Sequence, residues 1–144
     1  MQVSQILKTK THGKLFSVYS GSNVNEAVRL LSSERIGSVV VLDKNEALVG
    51  IFSERDTIRA LSAFGPNCLE GRVNKFMTKT VETCSLTDQG VEVLKRMTEG
   101  RFRHMPVMES GGLVGMITIG DIVKSRLDTL LLENEAMQNM IRGY

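Results

Sequence analysis

The spacing of apolar residues along the chain changes in a fixed order, and this order occurs twice. Residues 15–19 alternate as a short strand, residues 24–35 carry apolar side chains at helical intervals, and residues 38–42 form a mostly β-branched run. A polar turn and a second apolar run at residues 48–52 follow, which predicts two adjacent strands. The same order recurs in the second half of the chain, at residues 80–83, 91–97, 103–108 and 113–117. The pattern predicts two β-α-β-β-α units.

A unit of about 60 residues with one apolar sheet face is marginally stable on its own. We therefore expect the two repeats to pack sheet to sheet as one compact module of the α/β (α+β) class. The predicted divisions of the chain are a first repeat at 1–65, a linker at 66–72, a second repeat at 73–130 and a C-terminal helix extension at 131–144.

Each predicted return strand runs into the same short motif. The first copy is Gly-Ile-Phe-Ser-Glu-Arg-Asp, with Ser53 and Asp56, and the second is Gly-Met-Ile-Thr-Ile-Gly-Asp, with Thr118 and Asp121. The copies lie 65 residues apart. At the start of a helix, the hydroxyl residue predicts an N-cap with the Asp in the first turn. A hydroxyl and a carboxylate there also match the two hydroxyls of a ribose, and helix N-termini favour phosphate. Both interpretations stay open at this point.

Composition and charge exclude several function classes. The net charge of +2 and the absence of a long basic run make nucleic acid an improbable partner, and they argue against binding at a membrane surface. No apolar stretch approaches the roughly 20 residues that a membrane-spanning helix needs, and no signal sequence precedes the first repeat, so we expect a cytoplasmic protein. Cys68 and Cys84 are not spaced as zinc ligands, so we expect reduced thiols and no metal site.

Catalytic signatures are missing from the sequence. His12 and His104 are the two histidines, and no nucleophile elbow, Walker lysine loop, HExxH motif or paired-cysteine site accompanies them. We expect no catalytic residues and no enzyme activity.

The last helix continues beyond the repeat and carries a heptad-like seam. Its members are Val123, Leu127, Leu130, Asn134, Met137 and Ile141. The seam fits an ordinary amphipathic terminal helix or a contact between subunits, in which Asn134 would set the register.

The duplicated unit resembles the cystathionine beta-synthase (CBS) domain, and two such units in tandem resemble a Bateman module. Further segments carry the resemblance, over roughly residues 1–130. They are Asn-Glu-Ala-Val at residues 25–28, Val-Asn-Lys-Phe-Met-Thr at 73–78, Arg-His-Met-Pro-Val at 103–107, and a Leu-Val-Gly run into each motif.

The resemblance implies a regulatory module that binds an adenosine nucleotide in clefts between the repeats. AMP is the foremost candidate, and ADP, ATP, NAD(H) and S-adenosylmethionine are the others. Ser53 with Asp56, and Thr118 with Asp121, would hold the ribose hydroxyls. The backbone at Val18, at its assumed counterpart Val81 and at Thr80 would contact the adenine. Apolar neighbours of the adenine would be Ile36, Phe102 and Ile117.

Phosphate groups need cations. The candidates are Arg55, Arg103 and His104, with Arg59 and Lys124 behind them. The repeats differ here, since the first has Gly37 and Ser38 where the second has Arg103 and His104. We therefore expect the two clefts to differ in affinity or in ligand.

The leading hypothesis is a homodimeric, non-catalytic sensor of energy or redox state that signals to another, unknown protein. The alternatives are an assembly module whose clefts stay empty and, with less support, a small enzyme that acts on nucleotides.

Overall fold

The computed structural model describes residues 1–9 and 15–143 of the chain. Its helices are α1 (Val3–Thr9), α2 (Val24–Glu34), α3 (Glu54–Phe64), α4 (Val73–Phe76), α5 (Gly90–Gly100) and α6 (Ile119–Arg142), with a 3-10 helix at Pro66–Glu70. Its strands are β1 (Ser17–Tyr19), β2 (Ser38–Leu42), β3 (Leu48–Ser53), β4 (His104–Glu109) and β5 (Gly112–Thr118). His12 lies outside the described residues. Among the helices of the described chain, none combines the length and the apolar character needed to cross a membrane.

The strands form two small sheets, one in each repeat. In the first, β1 runs parallel to β2, and β2 is antiparallel to β3. In the second, β4 and β5 form an antiparallel pair. The predicted α/β (α+β) class, with two repeats that pack as one compact module, is confirmed.

The predicted strand at residues 80–83 is wrong. These residues form no ladder, and the second repeat keeps only a single parallel bridge, between Cys84 and Val107. The carbonyl of Thr83 instead accepts a hydrogen bond from the Arg96 guanidinium at 2.9 Å, so a side chain occupies a group that a ladder would use.

The sheet pairing also corrects the match between the repeats. Val18 pairs with Val41 in the first repeat, and Cys84 pairs with Val107 in the second. The structural counterpart of Val18 is therefore Cys84, and the assumed match of Val18 with Val81 is wrong by three residues.

Each repeat has its own apolar core, and each core contains a helix from the other half of the sequence. Val3 and Ile6 of α1 belong to the core of the second repeat, together with Val93, Met97 and Ile117. The first core is built mainly from α2, β2 and β3, and it includes the fully buried Val73 of α4. The leading helices are thus exchanged between the repeats. The predicted boundaries at residues 65, 72 and 130 describe the repeats in the sequence and stay a prediction.

The exchange explains the glycine that opens each motif. A β-carbon on Gly50 would come within 2.8 Å of the Thr78 carbonyl oxygen, and one on Gly115 within 3.2 Å of Leu7 Cδ1. Thr78 follows α4, and Leu7 lies on α1. Gly50 therefore lets the exchanged segment approach the sheet so closely that a β-carbon would meet its backbone. At Gly115 a β-carbon would require the Leu7 side chain to shift by a few tenths of an ångström.

Candidate functional site

A cavity of about 630 Å³ lies where the two repeats meet. The first repeat contributes the start of β2, the end of β3 and the first turns of α3. The second contributes the segment after α4 and the segment between α5 and β4. The residues that line the cavity are Gly37, Ser38, Ile51, Ser53, Glu54, Arg55, Asp56, Arg59, Thr78, Thr80, Val81, Glu82, Gly100, Arg101, Phe102, Arg103 and His104.

Most of the residues predicted to contact a ligand lie together in this cavity. Those that line it are Ser53, Arg55, Asp56, Arg59, Thr80, Val81, Phe102, Arg103 and His104. Those that lie outside it are Val18, Ile36, Ile117, Thr118, Asp121 and Lys124. The first motif therefore faces residues 78–82 of the second repeat, which are more than twenty positions away in sequence.

Ser53 and Asp56 form a capping box at the start of α3. The Ser53 hydroxyl accepts a hydrogen bond from the Asp56 N–H at 3.3 Å, and the Asp56 carboxylate accepts one from the Ser53 N–H at 2.9 Å. This arrangement satisfies two backbone donors that a helix start leaves open. The N-cap interpretation of the motif is correct, and a ligand contact would be an additional role.

The Asp56 carboxylate also links the two repeats. Its Oδ1 atom accepts a hydrogen bond from the Thr78 hydroxyl at 3.0 Å and lies 3.5 Å from the Arg59 guanidinium. Asp56 is only 2% exposed, whereas the Arg59 side chain is 71% exposed. The contact with Arg59 is thus long and screened by solvent, and it is the contact of this carboxylate that a ligand could replace most easily.

Cationic side chains converge on the cavity from both repeats. Arg55 reaches across it, and its Nη1 donates to the Arg101 carbonyl at 3.1 Å. Arg101 and Arg103 are exposed residues at the rim. His104 is half-buried, and its ring lies against Gly37, where a β-carbon would be 3.2 Å from His104 Cε1. Four arginines and one histidine thus surround a space that a phosphate group could enter.

Apolar side chains also line the cavity. Ile51, Val81 and Phe102 line the cavity, and the Phe102 ring covers Gly100. The predicted apolar contact Ile117 is instead fully buried in the second core. Successive residues of a strand point to opposite faces. In β3, Phe52 is buried in the first core, and its neighbour Ile51 therefore faces the cavity.

The second motif also forms a capping box, at the start of α6. The Thr118 hydroxyl accepts from the Asp121 N–H at 3.0 Å, and the Asp121 carboxylate accepts from the Thr118 N–H at 2.9 Å. Val18 packs against the first core. The role of Thr118, Asp121 and Val18 as ligand contacts stays a prediction.

Several residues of the cavity are not predicted as ligand contacts from the sequence: Thr78, Arg101, Ser38 and Glu54. From the sequence, Thr78 is identified only as the last residue of the segment that opens the second repeat. Its contact with Asp56 could have been anticipated had the exchange of α4 been known, because that exchange brings residue 78 to β3.

Three solved structures resemble the fold. The CBS-domain containing protein of Agrobacterium tumefaciens is 38% identical, with a TM-score of 0.83 over 87% of this chain and 92% of that chain. A CBS domain pair in complex with 5′-methylthioadenosine and S-adenosyl-L-methionine is 26% identical, with a TM-score of 0.74 over 90% and 96%. A CBS domain protein of Pyrobaculum aerophilum complexed with AMP shares the fold at 23% identity, with a TM-score of 0.74 over 84% and 89%.

The family comparison covers most of the chain. The CBS domain matches twice, at residues 3–63 and 73–128. Each match contains one copy of the motif and one of the two sheets, and the cavity lies between them. This chain belongs to the CBS domain family, as a tandem pair of the Bateman type.

Proposed function

We propose that this chain is a non-catalytic regulatory module that binds an adenosine nucleotide, AMP foremost, in the cavity between its repeats. The observation that carries the proposal is the joining of apolar side chains, a buried carboxylate, four arginines and a histidine in one space of about 630 Å³. A flat apolar base, a hydroxyl-bearing sugar and an anion are the three parts of such a ligand. Ligand sites commonly combine an apolar lining with a few convergent polar groups.

Asp56 is the proposed ribose contact. Its Oδ2 atom is used by Ser53, while Oδ1 is shared between Thr78 and the long contact with Arg59. A ribose hydroxyl that donates to Oδ1 would replace the contact with Arg59. The released guanidinium, already at the cavity, would then be available to the phosphate.

The adenine and the phosphate would lie at opposite sides of the ribose. Thr80 and Val81 form no strand ladder, so their backbone groups are available to the edge of the base, while Phe102 and Ile51 would flank its faces. Arg55, Arg103 and His104 would contact the phosphate. Charge-assisted hydrogen bonds of this kind are about twice as strong as neutral ones.

The relatives support this ligand class. One member of the family has been solved with AMP, and another with 5′-methylthioadenosine and S-adenosyl-L-methionine. ADP, ATP, NAD(H) and S-adenosylmethionine therefore remain candidates beside AMP. A second, chemically different cleft around Thr118 and Asp121 is part of the proposal.

We further propose that the module works as a cytoplasmic homodimer and passes its signal to another protein. Apolar side chains of α3 and α6 are exposed, among them Ile58 at 67% and Leu127 at 54%. The residues proposed to contact the ligand come from both repeats, so binding would favour one relative position of the repeats and change the surface offered to a partner.

Thermal unfolding and isothermal titration calorimetry with each candidate nucleotide test the proposal. A ligand that binds only the native state raises the unfolding midpoint. Arg101 and Arg35 form a matched pair, because each is exposed and ends a helix with positive φ, at 57° and 54°, but only Arg101 lines the cavity. We expect Arg101→Ala to weaken AMP about fivefold and Arg35→Ala to leave the affinity unchanged. Absence of binding by every nucleotide at millimolar concentration contradicts the proposal.

The second candidate is an assembly module whose cavity stays empty. The observation that favours it is the capping box, which accounts for the hydroxyl and the carboxylate of both motifs without any ligand. Under this alternative the protein dimerises but shows no nucleotide-dependent change in its unfolding midpoint.

A further inference from the structure

Ser38 carries a buried hydroxyl that no neighbouring group satisfies. The residue is 7% exposed, and its Oγ is the one buried side-chain polar atom of the described residues that lacks a hydrogen-bond partner. Buried polar groups are nearly always paired, since an unpaired one loses its hydration without compensation. An exception calls for a physical reason.

The alternation of β2 directs this hydroxyl to the cavity. Val39 and Val41 belong to the first core, so Ser38, an odd step away from both, lies on the opposite face of the strand. That face lines the cavity, where Ser38 is paired across the sheet with the N-cap residue Ser53. The hydroxyl is therefore positioned at the start of α3 and not within the core.

The surroundings of Ser38 favour an anion. Gly37 precedes it and contacts the His104 ring, and the Gly37 carbonyl accepts a hydrogen bond from the Glu54 N–H at 3.0 Å in the first turn of α3. Arg55 and Arg103 line the same space. A helix N-terminus attracts negative charge, and Arg55 and Arg103 add to that field, which the carboxylates of Glu54 and Asp56 in the first turn of α3 partly offset.

We propose that Ser38 donates a hydrogen bond to a phosphate oxygen of the bound nucleotide and so distinguishes AMP from uncharged adenosine. The inference rests on the proposed function, because it names one contact within the same cavity. Ser38 has the same place in the first repeat as His104 in the second, since His104 pairs with the N-cap residue Thr118. One phosphate would thus be contacted by residues that are counterparts in the two repeats.

The test is Ser38→Ala, measured for stability without ligand and for affinity with AMP and with adenosine. The variant removes an unsatisfied group, so we expect the unfolding midpoint of the free protein to stay the same or rise. AMP should bind about five to ten times more weakly, and adenosine with unchanged affinity. Ser33→Ala is the control, because Ser33 is exposed on α2 and does not line the cavity.

The outcomes separate this inference from the proposed function. If the wild-type protein binds AMP and Ser38→Ala binds it equally well, the inference is wrong and the proposed function stands. An equal loss for AMP and adenosine also overturns it, because the contact is then not with the phosphate. If the wild-type protein binds no nucleotide, both fail together. A lower midpoint of the free variant, with AMP affinity retained, would assign the hydroxyl a structural role.

Discussion

The ring of His104 lies against the backbone of Gly37, and these residues come from opposite repeats. A β-carbon on Gly37 would be 3.2 Å from His104 Cε1 and 3.4 Å from Nε2. The position equivalent to Gly37 in the second repeat is occupied by Arg103. The absence of a side chain in one repeat therefore makes room for the histidine of the other, and the two halves of the duplication have diverged in a complementary way.

Gly37→Ala should move the His104 ring and weaken AMP binding. The new methyl group would lie closer to the His104 ring than an ordinary van der Waals contact allows. We therefore expect a loss of about 1 kcal/mol in the free energy of unfolding. In a His104→Ala background the same change should have little effect, because the space is then vacant. Urea unfolding and calorimetry of the four proteins measure the coupling. Equal losses in both backgrounds would contradict the contact.

Removal of either N-cap hydroxyl should destabilise the protein. Ser53→Ala and Thr118→Ala each lose a hydrogen bond to the third residue of the following helix, with an expected cost of about 1 kcal/mol. Thr118→Ser, which keeps the hydroxyl, should retain most of the stability. Urea unfolding measures these differences, as shifts of the midpoint without a change in the dependence of the free energy of unfolding on urea concentration. If Thr118→Ser is as unstable as Thr118→Ala, the hydroxyl does not act as a cap.

Asp56→Ala should be more destabilising than the loss of its cap partner. The change leaves the Ser53 N–H and the hydroxyls of Ser53 and Thr78 without their acceptor, which predicts a loss of about 2–3 kcal/mol. Arg59→Ala should cost less than about 1 kcal/mol, since that contact is long and exposed. Unfolding experiments on both variants decide, and equal losses would argue against the buried network.

The buried Cys84 should make stability fall at alkaline pH. Burial, assisted by the nearby Asp88 carboxylate and opposed by Arg96, raises the pKa of the Cys84 thiol from 9.0 to about 11. The native protein thus holds the proton more tightly than the unfolded chain. The contribution of the protonated thiol to the free energy of unfolding is complete below pH 9.0 and is lost as the pH rises to about 11.

Cys84→Ala provides the comparison for this effect. Its free energy of unfolding should decline less steeply between pH 9.0 and 11 than that of the wild-type protein. Urea titrations at several pH values measure the difference. Parallel curves for the two proteins would show that the thiol does not contribute.

Charges on the α6 seam should dissociate the proposed dimer. Leu127 and Leu130 lie on the seam and are 54% and 45% exposed, so Leu127→Glu with Leu130→Glu should give a folded monomer. Leu132→Glu is the matched control, because Leu132 is 66% exposed but lies off the seam. Sedimentation analysis distinguishes the states. A monomeric wild-type protein would remove the basis for the dimer.

The periodicity of the sequence predicted most of the fold for a physical reason. Helix and strand faces that pack on a core repeat at fixed intervals, so α2, β2 and β3 were recognisable from local pattern alone. The strand at residues 80–83 was predicted wrongly because a ladder depends on a partner strand, and here the Arg96 side chain takes the Thr83 carbonyl.

The candidate site was predicted in part. Ser53, Asp56, Arg103 and His104 follow from motifs that are continuous in sequence. The roles of Thr78 and Ser38 depend on which segments meet across the repeats. Neighbouring side chains of a strand point to opposite faces, and Ile117 therefore lies in the second core although it was predicted to contact the ligand. The positions of these residues depend on tertiary contacts, which the local sequence pattern does not predict.

The exchange of α1 and α4 means that the chain cannot be divided into two independent halves. A fragment that ends before residue 73 would leave the first core open where Val73 belongs, and the remaining fragment would lack Val3 and Ile6. Neither half contains all the side chains that its own core requires. The two fragments mixed together could still restore both cores, so the smallest cooperative folding unit of this protein is the pair.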